Sequence, residues 1–270
     1  MKNENQTRTL GSTGLTVGRL GVASSYGAPA EAFEKAFDKG CNYFVFGSGR
    51  RRAGMKQAIK SICDKGHRDK LVIAFHNYSR FGLFTEIVIK KALQSLGIDY
   101  FDVLILGWHN RRPSNMLLDR AEKLKEKGLI KFLGMSGHKR SLFPKLAEEG
   151  IFDVFHIRYN AAHRGAEQDA FPFLNNTNNP GIVTYTATRW GHLLNPKKMS
   201  PGESPLTASD CYRFVLSNST VDVCLSGPAN MAQMQEALSA LDQGSLGTEE
   251  MKRVQRIGDH VHKTSKSLFG

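Results

Sequence analysis

Four histidines and two arginine runs carry the chemistry that residue type and spacing make legible in this chain. His76 closes the apolar run Leu71-Val72-Ile73-Ala74-Phe75, His109 follows Val103-Leu104-Ile105-Leu106-Gly107-Trp108, His138 follows Gly134-Met135-Ser136-Gly137, and His156 sits within Val154-Phe155-His156. Imidazole exchanges a proton near a pKa of about 6.5 and so suits general acid–base work. His76 is the candidate acid, and His76 with His109 forms a candidate acid–base pair. The alternative for each is structural: a hydrogen-bonded strand-end histidine for His76, an exposed loop residue for His109. Arg50-Arg51-Arg52 follows Tyr43-Phe44-Val45-Phe46-Gly47, and Arg111-Arg112 follows the run that holds His109. A guanidinium keeps its proton below a pKa of about 12, so Arg50 can stabilise negative charge but cannot act as an acid. No metal is expected at the histidines, because they come from separate strands without HxH spacing and no carboxylate is placed among them.

The elements that must position these groups alternate along the chain. Short apolar, β-branched runs begin near Leu20, Tyr43, Leu71, Val103, Phe132, Val154, Ile182 and Val221. Amphipathic stretches separate them: Ala30 to Lys39, Met55 to Lys65, Thr85 to Leu96, Ser114 to Lys127, Leu142 to Glu149, Glu167 to Leu174, Thr207 to Leu216 and Met231 to Leu241. This is the pattern of repeated βα units and a parallel sheet. Thr7 to Leu10 and Leu15 to Val17, around Ser12-Thr13-Gly14, predict a small hairpin, and Thr248 to His262 a last helix outside the sheet. Gly40, Gly66, Gly97, Gly128 and Gly150 follow helical stretches as C-terminal caps. Trp190 to Ser204, rich in Pro, Lys and Gly, reads as a mobile loop.

At 270 residues the chain is within the size of one α/β barrel, so residues 1–270 are expected to form a single domain. Hydrophobic residues make up 40% of the sequence and mean hydropathy is −0.35, enough for a core in a soluble protein. No apolar run nears the roughly 20 residues of a membrane span, and Met1 to Leu10 is polar, so a cytoplasmic location is expected. Cys41, Cys63, Cys211 and Cys224 form no CxxC pair and predict reduced thiols, with no iron–sulfur cluster. The net charge of +12 is dispersed and accompanies no nucleic-acid motif, so nucleic acid is not an expected partner. Oligomeric state is left open.

Taken in order, Arg8-Thr9-Leu10-Gly11-Ser12-Thr13-Gly14, Gly40 to Gly47, Leu71 to His76, Asp99 to Trp108, Gly134 to Gly137, Tyr159-Asn160-Ala161-Ala162-His163-Arg164, Gly181 to Thr186 and Leu225 to Glu236 resemble the aldo-keto reductase family. The resemblance implies a (β/α)8 TIM barrel with a short N-terminal β-hairpin and a C-terminal helix. It also implies that the family's catalytic Asp, Tyr, Lys and His are replaced by Val45, Arg50, His76 and Gly107. On the cofactor side it assigns Ser136, His156, Tyr185 and Thr186 to the nicotinamide and its neighbouring phosphate, Arg189 to the pyrophosphate, and Gly227, Asn230 and Gln233 to the phosphate site after the last strand. Of these, Ser136 and Tyr185 match the family, whereas Gly137 and His156 depart from its Asn and Gln. The implied function is an NADP(H)-linked oxidoreductase with a weakened cofactor site and weak or no conventional carbonyl reductase activity. The alternative is a non-catalytic protein that holds an anionic small molecule through Arg50, Arg51, His76 and Arg189, or binds a partner.

Overall fold

The computed structural model describes residues 6–47, 49–78, 85–174 and 178–264. Eight parallel strands close into a barrel: β3 (Leu20–Ala23), β4 (Tyr43–Phe46), β5 (Val72–Asn77), β6 (Phe101–Leu106), β7 (Ile130–Gly137), β8 (Val154–Arg158), β9 (Gly181–Tyr185) and β10 (Val223–Ser226), with β10 pairing back onto β3. An antiparallel hairpin, β1 (Thr7–Thr9) and β2 (Thr16–Gly18), precedes them. The helices are α1 (Ala30–Asp38), α2 (Ala53–Asp64), α3 (Thr85–Leu96), α4 (Asn115–Glu126), α5 (Leu142–Glu148), α6 (Ala166–Asp169), α7 (Phe171–Leu174), α8 (Ala208–Leu216), α9 (Met231–Gln243) and α10 (Thr248–Thr264). The expected (β/α)8 barrel, hairpin and final helix are therefore present.

Strand alternation divides the core in two. Tyr43, Val45, Val72, Ala74, Val103, Ile105, Val154, Val183, Val223 and Leu225 fill the barrel, while Phe44, Phe46, Ile73, Phe75, Leu104, Phe155 and Ile157 pack outward with the helices. A strand exposes successive side chains to opposite faces, and both faces here are covered, which explains near-continuous apolar runs. Leu10 and Val17 of the hairpin join the inner cluster and seal the N-terminal end. Gly181 makes this seal fit, since a Cβ there would come within 2.6 Å of the Leu10 side chain. Only the C-terminal end of the barrel is left to hold a ligand, as in barrels generally.

Two local readings change. The helix expected over Glu167 to Leu174 is broken at Ala170 into α6 and α7. Pro172 has no N–H to continue the ladder. The stretch Trp190 to Ser204 is ordered into 3-10 turns at His192–Leu194 and Pro196–Lys198, the second capped by the Asn195 side chain. All five expected capping glycines have positive φ, from 67° to 88°.

Candidate active site

A cavity of about 640 Å³ opens at the C-terminal end of the barrel, a volume within the usual range for small-molecule sites. Its floor is built by the inward-facing strand ends: Val45 of β4, His76 of β5, Ser136 of β7, His156 of β8 and Tyr185 of β9. The register that sets Ser136 beside His156 and His156 beside Val183 keeps these groups on one face. Tyr26, Tyr78, Trp108 and Trp190 rim the mouth, each about half exposed at 47–54%.

Two tyrosine–histidine pairs meet at the cavity, one buried beneath its floor and one on its wall. The Tyr43 hydroxyl is 2.9 Å from His156 Nε2, both residues being fully enclosed in the barrel. The Tyr78 hydroxyl is 2.9 Å from His76 Nδ1 at the cavity wall. The two imidazole rings lie 5.3 Å apart, and in each the remaining nitrogen, His76 Nε2 and His156 Nδ1, is buried without a hydrogen-bond partner among the described residues. Burial disfavours the imidazolium, pushing His76 down to about 4 and His156 well below its ordinary value, the latter helped by the neighbouring His76. Both rings are thus neutral at pH 7. Burial also raises the phenols of Tyr43 and Tyr78, which stay protonated.

The structure sorts the sequence-derived candidates. His76, Ser136, His156, Tyr185, Thr186, Gly227 and Gln233 line the cavity. Arg50 does not: it begins a 3-10 turn, is exposed, and stands off the cavity wall. His109 is also off the wall; its backbone N–H donates to the Ser136 carbonyl at 2.8 Å. The guanidinium of Arg189 turns to the Val261 carbonyl of α10 instead of the cavity. Asn230 caps α9 by accepting the Gln233 N–H at 2.9 Å, and the Gln233 side chain accepts the Ala229 N–H at 2.8 Å. Gly137 has a steric reason for lacking a side chain, since a Cβ would overlap the His109 carbonyl.

Tyr78, Trp108, Tyr26, Trp190 and the buried partner Tyr43 were not legible as site residues. The signal for Tyr78 was its place two residues beyond His76, at the strand end. Backbone strain marks the same rim: Trp108, Thr186 and Trp190 take positive φ of 56°, 63° and 52°. Non-glycine residues adopt that region at a cost of about 1–3 kcal/mol each, and such strain concentrates at functional sites.

A nicotinamide dinucleotide fits the wall in outline. The Tyr185 hydroxyl donates to the Gly137 carbonyl at 3.1 Å, which fixes the ring as a flat surface over the floor. Ser136 accepts the Trp108 N–H at 3.2 Å and keeps its own proton to donate. Gly227 leads to the start of α9, where helix N–H groups and the dipole favour a phosphate. No Lys or Arg lines the cavity among the described residues.

Comparison with known proteins agrees with the fold. The aldo-keto reductase AKR11C1 from Bacillus halodurans in its holo form superposes with a TM-score of 0.77 at 19% identity, covering 93% of this chain and 96% of that one. Its apo form gives 0.75 at 19% identity, covering 93% and 95%. No protein of curated function matches by sequence. The model of the aldo/keto reductase family matches residues 21–210, from β3 into α8, and the chain belongs to that family.

Proposed function

We propose that this protein is an NAD(P)(H)-linked oxidoreductase that interconverts an uncharged, aromatic or otherwise flat carbonyl compound and its alcohol, with Tyr78 as the proton donor in place of the tyrosine missing at Arg50. The observation that carries this reading is the 2.9 Å contact between the Tyr78 hydroxyl and His76 Nδ1 on the cavity wall. His76 stands where the family resemblance places a lysine, and a neutral imidazole can donate Nδ1–H to a phenol oxygen as that lysine would. When bound, the nicotinamide supplies or accepts the hydride at the carbonyl carbon. Tyr185 and Ser136 would hold its ring, and the start of α9 its phosphates.

The chain's own residues handle the proton. As negative charge develops on the substrate oxygen, Tyr78 releases its proton to it, and the phenolate left behind is stabilised by His76 Nδ1–H. The raised phenol pKa does not prevent this, because an alkoxide is far more basic than a phenolate. Tyr78, half exposed at the mouth, regains a proton from solvent. The aromatic rim orients a flat substrate through edge and face contacts. With neither Arg nor Lys on the described wall, a neutral substrate is favoured over the anionic one that the arginines had pointed to.

The test is titration with NADPH and, separately, NADH, followed by turnover of benzaldehyde. Saturable binding that Tyr185→Ala weakens, with turnover reduced about 10²–10⁴-fold by Tyr78→Phe, is expected. Absence of binding at millimolar cofactor would remove the oxidoreductase reading. Because no side-chain cation on the described wall awaits a 2′-phosphate, the two cofactors should bind with similar affinity.

A further inference from the structure

We infer that Tyr43 and His156 are positioning residues, which act through His76 to hold the Tyr78 hydroxyl with its proton aimed at the ligand. The inference rests on the role of Tyr78 proposed above, but its structural content is a statement about where four protons sit. Tyr43 is fully buried, and His156 Nε2 is the acceptor within reach of its hydroxyl among the described residues, at 2.9 Å. A buried hydroxyl that spent its proton on nothing would bear its desolvation penalty uncompensated. Tyr43 therefore donates to Nε2, and the single ring proton of His156 is on Nδ1.

That nitrogen is itself buried without a partner among the described residues, as is Nε2 of His76 in the neighbouring ring, 5.3 Å away between centroids. If His76 carried its proton on Nε2, two buried N–H groups would stand unsatisfied side by side. With Nε2 bare, only one buried N–H is left without an acceptor among the described residues, and the neighbouring ring offers a lone pair instead of a second N–H. The proton of His76 is then on Nδ1, where it donates to the Tyr78 oxygen at 2.9 Å. The hydroxyl proton of Tyr78 is left for the cavity. The chain Tyr43, His156, His76, Tyr78 thus has one direction, set at its buried end. Neutral rings are required for this, and burial keeps both histidines neutral.

Nitrogen-15 NMR of histidine-labelled protein at pH 7, with no cofactor or substrate, tests this directly. The expected result is a protonated Nδ1 and a bare Nε2 in both His76 and His156. A proton on Nε2 of either ring would overturn the inference. Tyr43→Phe removes the buried donor with little change of shape and should move His156 towards its other tautomer. An unchanged His156 tautomer in folded Tyr43→Phe would also overturn it. Should that variant fail to fold, Tyr78→Phe offers a check from the exposed end: His76 Nδ1 should shift on losing its acceptor while the tautomer of His156 stays the same. In turnover, Tyr43→Phe should lower kcat about tenfold at unchanged KM, since it touches no ligand. The NMR result stands apart from the proposed function: cofactor binding with the wrong tautomers would leave the oxidoreductase reading and remove the role of Tyr43. The expected tautomers without cofactor binding would do the reverse.

Discussion

The Tyr78 ring occupies the space that a side chain on Gly107 would fill: a Cβ built on Gly107 would come within 2.5 Å of Tyr78 Cδ1. The missing side chain at Gly107 and the tyrosine on the neighbouring strand end are thus one feature. Gly107 also fixes the spot by donating its N–H to the Asn77 carbonyl at 2.8 Å. Gly107→Ala should displace Tyr78, break its bond to His76 and lower kcat at least tenfold. Overpacking of this kind also costs about 1–3 kcal/mol. Urea unfolding and benzaldehyde turnover of the same variant would separate the two effects.

Stability should fall on acidification through the window set by the buried histidines. His76 is held at about 4 and His163 at about 3, against 6.5 for an unburied imidazole, chiefly by burial and, for His163, also by Arg158 and Arg189. Below pH 6.5 the unfolded chain takes up protons that the folded one refuses, so stability is full above that value and is lost as pH drops towards 4. For His76 the loss is at most about 3 kcal/mol. Thermal unfolding at pH 7 and pH 4.5 should show the decline, and His163→Gln should lessen it.

Asp102, 3% exposed at the start of β6, accepts the Ile73 N–H at 2.9 Å and pairs with Arg68 at 2.9 Å and Lys131 at 3.6 Å. It ties β5 to β6 and so sets the level at which His76 emerges. Asp102→Ala should cost about 3 kcal/mol, since it strands a buried N–H and breaks a buried pair. Asp102→Asn, which keeps the acceptor for Ile73, should cost less. Chemical denaturation of the two variants measures the difference.

Trp108 and Tyr78 meet edge to face with ring centroids 5.9 Å apart. Trp108→Ala should weaken binding of a flat aromatic substrate by about 1 kcal/mol, a several-fold rise in KM, with kcat little changed. A fall in kcat at constant KM would instead place Trp108 in the chemistry.

The barrel was readable in one dimension because burial on both faces leaves apolar runs of strand length, and glycine caps mark the helix ends. The eight strands begin within two residues of the positions their composition predicts. His76, Ser136 and His156 were legible as cavity-lining residues because they lie on the strands whose C-terminal ends build the mouth, and Tyr185 through the family resemblance. Arg50, His109 and Arg189 were chosen by adjacency to strands, and adjacency does not decide direction; all three stand off the cavity wall, Arg50 in a 3-10 turn, His109 with its backbone bonded to Ser136 and Arg189 in contact with α10. What only the tertiary structure decided is which tyrosines serve which histidines. Tyr43 and His156 are 113 residues apart in sequence and meet through the closed barrel alone. Composition and periodicity specify each strand's own faces, but a hydrogen bond across the barrel depends on the closure of all eight.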